Sequence, residues 1–309
     1  MKIPTTQPPR LKAGDTIAIV APAGPIDNSE DLRQGAAALE SMGFRVRFDE
    51  RILQASRYLA GIDSARAEEL MRSFEDPSVH AIMALRGGYG SSRLIPLLEE
   101  KRLRPHPKSF MGFSDLTTLL LFFQRRFGWV TFHGPMAASS TLNSFSPEQK
   151  NHLLSLWTDP DYRPTLTFSQ LESWTSGVAE GVLTGGCLSI IEASIGTSYE
   201  IDTEGKILFL EDQGEPPYRL DRMLTHLRLA GKLKSPAGIL LGSFRDCEPS
   251  QGDYTAADIL RDLLTGLGIP IVANFPAGHI KDNWVLPFGI KARIDADAPS
   301  VTLIDAAVR

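Results

Sequence analysis

The amino-acid sequence predicts an α/β fold in two parts, and three observations carry that prediction. Short β-rich runs alternate with helical segments through the first 135 residues. A second alternation of the same kind follows residue 176. Between the two, residues 141–175 loosen into polar, proline-bearing sequence. Strands separated by helices need crossover connections, so the first alternation implies a mostly parallel sheet covered on both faces. A chain of 309 residues accommodates two domains. The expected division is 1–140, a connecting segment 141–175, and 176–309.

In the first alternation TIAIVAP (16–22) reads as a buried strand and SEDLRQGAAALESMG (29–43) as a helix closed by Gly43. FRVRF is the next strand, and DSARAEELMRSF a helix with Asp63 as its expected cap. Strand VHAIMAL (79–85), turn RGGYG, helix SSRLIPLLEE, strand KSFMGF, a further helix and WVTFHGP complete the set. That further helix carries Leu116, Leu119, Leu120, Phe123 and Phe127 on one face, and Gly128 ends it. The second alternation runs helix LSIIEASIG, strand KILFLE (206–211), helix RLDRMLTHLRLAG, strand GILLG, helix TAADILRDLLTGLG and strand PIVANF. GIKARIDADAPSVTLID closes the chain as an expected hairpin.

The net charge of -5, from 32 Lys+Arg against 37 Asp+Glu, argues against a nucleic-acid partner. It leaves room for an anionic substrate met by one local arginine. No stretch is apolar for the roughly 20 residues that span a bilayer, so no membrane association is expected. The opening MKIPTTQPPRLKAGD has no apolar core of a signal segment, and the expected compartment is the cytoplasm. Cys187 and Cys247 stand sixty positions apart, which offers neither a zinc knuckle nor a disulfide framework.

The stretch MGFSDLT places Ser114 where a strand ends and a helix begins. A serine there is a favoured helix cap. It is also where α/β hydrolases present a nucleophile. The match to G-x-S-x-G is partial, with Gly112 present and Leu116 replacing the second glycine. In LRGGYGSS (85–92), Gly88 and Gly90 match the first two glycines of G-x-G-x-x-G, but Arg93 takes the third place, and no G-K-[ST] follows. Consecutive glycines still let backbone N–H groups approach a ligand closely, as an oxyanion hole requires.

Six histidines occur, at 80, 106, 133, 152, 226 and 279, with no H-x-x-x-H pair, so no metal site is expected. His226 reads as a surface or interface residue. His133, in FHGP, and His279, in NFPAGHIKDNW, follow predicted strands and compete as general base. Glu211 and Asp212 close the apolar run ILFL. Alternation along a strand lets only one of them face a given site, and the competing reading of EDQGE is a solvated loop. Ser114, Glu211 and His279 all fall at predicted carboxyl ends of strands, where open α/β sheets place ligands. A serine needs an imidazole to take its proton, and the imidazole needs a carboxylate to fix its tautomer.

These motifs resemble the LD-carboxypeptidase family of serine peptidases, the muramoyltetrapeptide carboxypeptidases, with microcin C immunity peptidases as relatives. TIAIVAPAGP, ALRGGYG, MGFSDLT, FHGP, GVLTGGCLS, LFLEDQGEPPYRLDRMLTHL and GHIKDNWVLPFG carry the likeness in order over about 270 residues. The resemblance implies Ser114 as nucleophile, Glu211 as orienting acid and His279 as base, with the N–H groups of Gly88 and Asp115 as oxyanion hole. It implies an N-terminal Rossmann-like parallel sheet, a C-terminal β-rich α/β domain and a homodimer. The implied reaction removes terminal D-alanine from murein tetrapeptides, without cofactor or metal. Cys187 departs from the family, which commonly has asparagine there, and a thiol cannot replace an amide's hydrogen bonds.

A carboxypeptidase must bind a free carboxylate, for which Arg86 and Arg219 are candidates. Two alternatives stand beside this reading. A microcin-type peptidase acting on a peptidyl-nucleotide would call for a stacking aromatic, for which Trp174 is the candidate. A non-catalytic nucleotide-binding α/β protein would use the RGGYG turn.

Overall fold

The computed structural model describes residues 3–309; Met1 and Lys2 of the opening segment lie outside the described residues. The chain forms two units, each built on one sheet. The first takes the chain up to Tyr162 together with Trp284–Pro287 and Ala306–Arg309. The second takes Arg163–Asn283 and Phe288–Asp305.

In the first unit, β1 (Thr16–Val20), β2 (Arg45–Arg47), β3 (Ala81–Ala84), β4 (Ser109–Gly112) and β5 (Thr131–His133) pair in parallel in the spatial order 5-4-3-1-2. β1, β3, β4 and β5 carry almost wholly buried side chains, as expected of strands covered on both faces. Helix α1 (Ser29–Ser41) is capped by the Asn28 side chain, and Gly43 past its end takes φ +92. Helix α2 (Asp63–Glu75) starts differently from expectation. Asp63 is its first residue, not its cap, and its carboxylate turns instead to Arg66 and Arg93. SSRLIPLLEE is no α-helix: Pro96, which has no N–H to donate, lies in a 3-10 segment Ser91–Leu97, and α3 is one turn at Glu100–Leu103. Helix α4 (Thr117–Phe127) buries its predicted stripe, with Leu119, Leu120 and Phe123 fully covered, and stops at Gly128 in the left-handed conformation.

The first unit continues past residue 140. Helices α5 (Ser140–Asn143) and α6 (Pro147–Thr158) belong to it, and Trp157 of α6 packs edge-on to Phe44 and Phe132. The boundary at residue 163 therefore falls within the segment read from sequence as a connection. A short strand at Leu286–Phe288 adds an outer edge to the first sheet, beside β5.

The second unit's sheet has eight strands. Its middle is parallel: β8 (Val178–Cys187), β9 (Lys206–Gln213), β10 (Gly238–Arg245) and β11 (Ile271–Ala273). Its flanks are antiparallel. β6 (Thr165–Leu166) and β7 (Glu172–Thr175) arise from the polar segment, and β7 pairs with β11. With Leu286–Phe288 numbered β12, the closing hairpin is β13 (Lys291–Asp295) and β14 (Ser300–Leu303), and β13 pairs with β8. Helices α7 (Leu188–Ala193), α8 (Pro217–Leu229) and α9 (Ala256–Leu264) connect the parallel strands. This is the β-rich α/β unit that the family resemblance implies.

Candidate active site

Ser114 stands directly beyond β4, at the start of a 3-10 turn that runs into α4. Its φ is +61, in the left-handed region that non-glycine residues rarely adopt. Such a conformation typically costs about 1–3 kcal/mol and persists only where its surroundings enforce it. No side-chain cap hydrogen bond forms at the start of the turn or of α4. The enforcing surroundings include the RGGYG turn. A Cβ added at Gly87 would lie 3.0 Å from Ser114 Cβ and 3.2 Å from its Oγ, so only glycine lets this turn press on the serine. Gly88 follows at φ +102.

Arg86 lies beside the turn. Its Nη1 donates to Pro25 O at 2.7 Å and stands 3.8 Å from Asp27, with 39% of the side chain exposed. His133 is fully buried in β5, in register with Gly112, with its ring edge-to-face to Phe113 at 5.7 Å.

In the second unit, Glu211 and Asp212 end β9 and are both buried, which removes the solvated-loop reading of this stretch. They face different ways, as strand alternation requires. Glu211 Oε2 lies 2.7 Å from His279 Nδ1. Asp212 turns to α7, accepting the Ser189 N–H at 2.7 Å and so capping that helix from a neighbouring strand.

Three features bring the His279 loop to Glu211. A bulge in β10 sets Gly242 and Ser243 opposite Glu211, and the Ser243 N–H donates to Ala277 O at 2.9 Å. Gly278, at φ +114, allows the approach, since a Cβ there would meet Glu211 Oε2 at 2.5 Å and Ser243 Oγ at 2.6 Å. Asn283, fully buried, accepts the Gly278 N–H at 3.0 Å. Sequence reasoning missed Ser243 and Asn283; Asn283 lies within the GHIKDN motif, but nothing in the pattern near Ser243 signals a bulge.

The electrostatics follow from burial and pairing. Burial pushes the Glu211 carboxyl up, and hydrogen bonds from His279 act against that rise. Burial opposes charge on His279 as well, but the hydrogen bond and charge of Glu211 outweigh it and hold the imidazole above its ordinary 6.5. An ionised carboxylate only accepts, so His279 Nδ1 is the donor and Nε2 keeps a lone pair. Cys187, in register with Glu211, is buried, with its Sγ 3.4 Å from Asp212 Oδ1.

The remaining candidates lie apart from this pair in their contacts. Arg219, at the start of α8, is half exposed and paired with Glu215. Trp174, in β7, donates from Nε1 to Glu172 and carries the Arg261 guanidinium 4.4 Å over its ring. It lines a cavity of about 330 Å³ with Ser243, Asn274 and Ile280 among the other walls. His226 is half exposed and contacts Glu192. Among the described residues no cluster of His, Cys, Asp and Glu could hold a metal, and no helix is long and apolar enough to cross a membrane.

A serine strained at a strand–helix turn, and a buried carboxylate–histidine pair at a strand end, are each features that hydrolases use. Comparison with known proteins gives the family. The model of the LD-carboxypeptidase N-terminal domain matches residues 17–134, and that of the C-terminal domain matches 180–294. The chain belongs to the LD-carboxypeptidase family. It is 36% identical over 305 residues to the probable murein peptide carboxypeptidase of Bacillus subtilis, covering 98% of this chain and 95% of that one. It is similar in structure to the muramoyltetrapeptide carboxypeptidase of Oxalobacter formigenes, with a TM-score of 0.81 and 33% identity, covering 93% of this chain and 97% of the other. The fold is shared with MccF solved in complex with glutamyl sulfamoyl guanosine, at TM-score 0.91, 22% identity and coverage of 98% and 99%.

Proposed function

We propose that the protein is a serine-type LD-carboxypeptidase that removes terminal D-alanine from murein tetrapeptides in cell-wall recycling. The observation that carries this reading is the 2.7 Å contact of His279 Nδ1 with the buried Glu211 carboxylate. A histidine fixed in one tautomer, with basicity raised by a carboxylate, is what a serine nucleophile requires. In this mechanism His279 Nε2 takes the proton of Ser114 Oγ as the oxygen attacks the scissile carbonyl. The N–H groups of Gly88 and Asp115 receive the developing oxyanion. His279 then returns its proton to the departing D-alanine amine, and water resolves the acyl-enzyme by the same steps. His279 has the carboxylate partner that a base needs, which favours it over the buried His133.

Arg86 is the better of the two arginines for the substrate's terminal carboxylate, since it adjoins Gly87 in the turn that presses on Ser114. No cofactor or metal enters these steps. The protein acts in the cytoplasm as a homodimer, without nucleic-acid partners. The relatives named above for murein and muramoyl peptides support this substrate class over a peptidyl-nucleotide. The guanidinium of Arg261 over Trp174 also leaves that ring face covered against a stacking base.

The test compares kcat/KM for L-Ala-γ-D-Glu-meso-diaminopimelyl-D-Ala, its L-alanine epimer and a peptidyl-nucleotide. Preference for the D-alanine peptide is expected. Preference for the epimer rejects L,D specificity, and preference for the conjugate moves the protein to microcin-type immunity. Nucleotide binding without hydrolysis of any of the three would leave a binding protein.

A further inference from the structure

The mechanism uses Asp115 only through its N–H, yet the Asp115 carboxylate is buried, at 3% exposure, and anchors a network reaching a second buried charge. Its Oδ2 accepts the Ser91 N–H at 2.9 Å, and the Ser91 hydroxyl donates back to the Asp115 carbonyl at 2.7 Å. The Gly90 N–H also donates to the carboxylate. On the other side of Gly90 sits Arg66 of α2, completely buried. Arg66 Nη1 donates to Gly90 O at 3.0 Å and to Pro22 O, and Nη2 donates to Asp63. The fit is close, because a Cβ at Gly90 would lie 2.4 Å from Leu59 and 3.1 Å from Arg66 Nη1. Hydrogen bonds therefore run from α2 through Gly90 and Ser91 to the residue that follows Ser114.

We propose that Arg66, Ser91 and the Asp115 side chain are positioning residues, which fix the glycine turn 87–91 against Ser114 and so aim the oxyanion-binding N–H groups. The inference rests on the reading of Ser114 as nucleophile. The chemistry of the two charged groups fits this role better than a purely stabilising one. Two buried charges are a poor way to stabilise a core, where apolar side chains of the same volume serve as well or better. What a guanidinium adds is direction. Its planar fork of donors holds the backbone carbonyls of Pro22 and Gly90 and the side-chain carboxylate of Asp63 in one geometry. An ammonium at the same site keeps the charge and loses that geometry. Burial works to raise the Asp115 carboxyl, and the Ser91 and Gly90 donors with the Arg66 charge oppose it, so removing them also weakens the charged form.

The test uses the full-length protein and measures kcat, KM, melting temperature and the affinity of a peptide boronate that mimics the tetrahedral adduct, for Arg66→Lys, Ser91→Ala and Ser114→Ala. Removing one oxyanion donor typically costs about 100- to 1,000-fold in kcat, so misaiming one should cost about 10- to 100-fold. Arg66→Lys is expected to lose that much in kcat per folded molecule with KM within about twofold, and Ser91→Ala to lose several-fold, with boronate affinity falling in step. A lowered melting temperature with unchanged kcat per folded molecule and unchanged boronate affinity would assign Arg66 to stability alone and overturn the proposal. Should Arg66→Lys fail to fold, Ser91→Ala decides by the same criteria. Retained activity in Ser114→Ala would instead bring down the nucleophile assignment beneath this inference, whereas its loss beside unaffected Arg66→Lys and Ser91→Ala would bring down this inference alone.

Discussion

The two strand ends that bear the candidate residues are built by opposite means. Beyond β4 the backbone is strained: Ser114 sits at φ +61, pressed by the glycine turn, and makes no cap. At the end of β9 the backbone stays extended within the strand, and the side chains carry the specialisation through a buried carboxylate bonded to His279. A nucleophile has to be presented, which a sharp turn does. A base has to be held in one tautomer with its basicity raised, which a carboxylate does. The difference predicts that the two sites break differently.

The largest effect belongs to Ser114. Ser114→Ala should lower kcat by about 10⁴-fold or more while leaving peptide binding near normal, as expected when an attacking group is removed. Ser114→Gly tests the strain separately. Glycine accepts positive φ without penalty, so this variant should be as inactive as the alanine variant yet more stable by about 1 kcal/mol in urea unfolding. A destabilised glycine variant would show that the turn is relaxed around serine, and the contrast between the two strand ends would fail.

Glu211→Gln comes next. The amide retains the shape but not the charge, so kcat should fall about 10²- to 10⁴-fold, with folding preserved. The pH profile gives the sharper reading. In the proposed mechanism His279 must be neutral to act as base, and in the native protein its pKa lies above 6.5 because of Glu211. Activity should therefore rise with pH through a limb above 6.5, and in Glu211→Gln that limb should move to lower pH. An unmoved limb would mean that a different group titrates.

How much of this could be read from sequence follows from the same contrast. The strands and the residues at their carboxyl ends are local signals, and Glu211 and Ser114 sit where those signals put strand ends, whereas His279 lies in the loop beyond β11. The features that position them are not local. The β10 bulge opposite Glu211, the Asn283 bond to Gly278 and the buried Arg66 come from partners 5 to 44 residues away in the chain. The polar segment hid β7 because its pairing with β11 lies about a hundred residues on, and ESWT has no alternation to reveal it. Leu286–Phe288 is three residues long and gives no period at all. Asp63 was misread as a cap because the residue type fits, although its partners are arginines.

A third test sets His152, a buried histidine of the first unit, beside His279. His152 has no carboxylate; Nε2 donates to Val285 O at 2.9 Å and Nδ1 meets the Tyr162 hydroxyl at 3.1 Å. Burial then dominates and lowers its pKa to about 4. A folded pKa below the unfolded one gives stability that is present above about 6.5 and lost as pH falls toward 4. Between pH 7 and pH 5 the first unit should lose about 2 kcal/mol from this group alone. Unfolding followed by the fluorescence of Trp129 and Trp157 should show this slope, and His152→Gln should flatten it. A slope unchanged by that substitution would assign the acid sensitivity elsewhere.

The smallest expected effect concerns the thiols. Cys187 lies beside Asp212 and in register with Glu211: burial raises its pKa well above 9, and the charges of Glu211 and Asp212 raise it further. Cys247 is also buried, and burial raises it to about 11. A thiol reacts as its thiolate, so neither cysteine should be alkylated by iodoacetamide at pH 7.5 in the folded protein, and activity should stay within about twofold over hours. Cys187 also reports on its neighbours. Burial is the larger cause and the Glu211 charge the next, so Glu211→Gln should raise the alkylation rate of Cys187 by a small factor while Cys247 stays as it was. Mass spectrometry of the alkylated peptides separates them. Rapid alkylation of Cys187 in the unmodified protein would mean that the end of β9 carries less negative charge than the hydrogen bond to His279 requires, and the account of how the base is held would have to be rebuilt from that point.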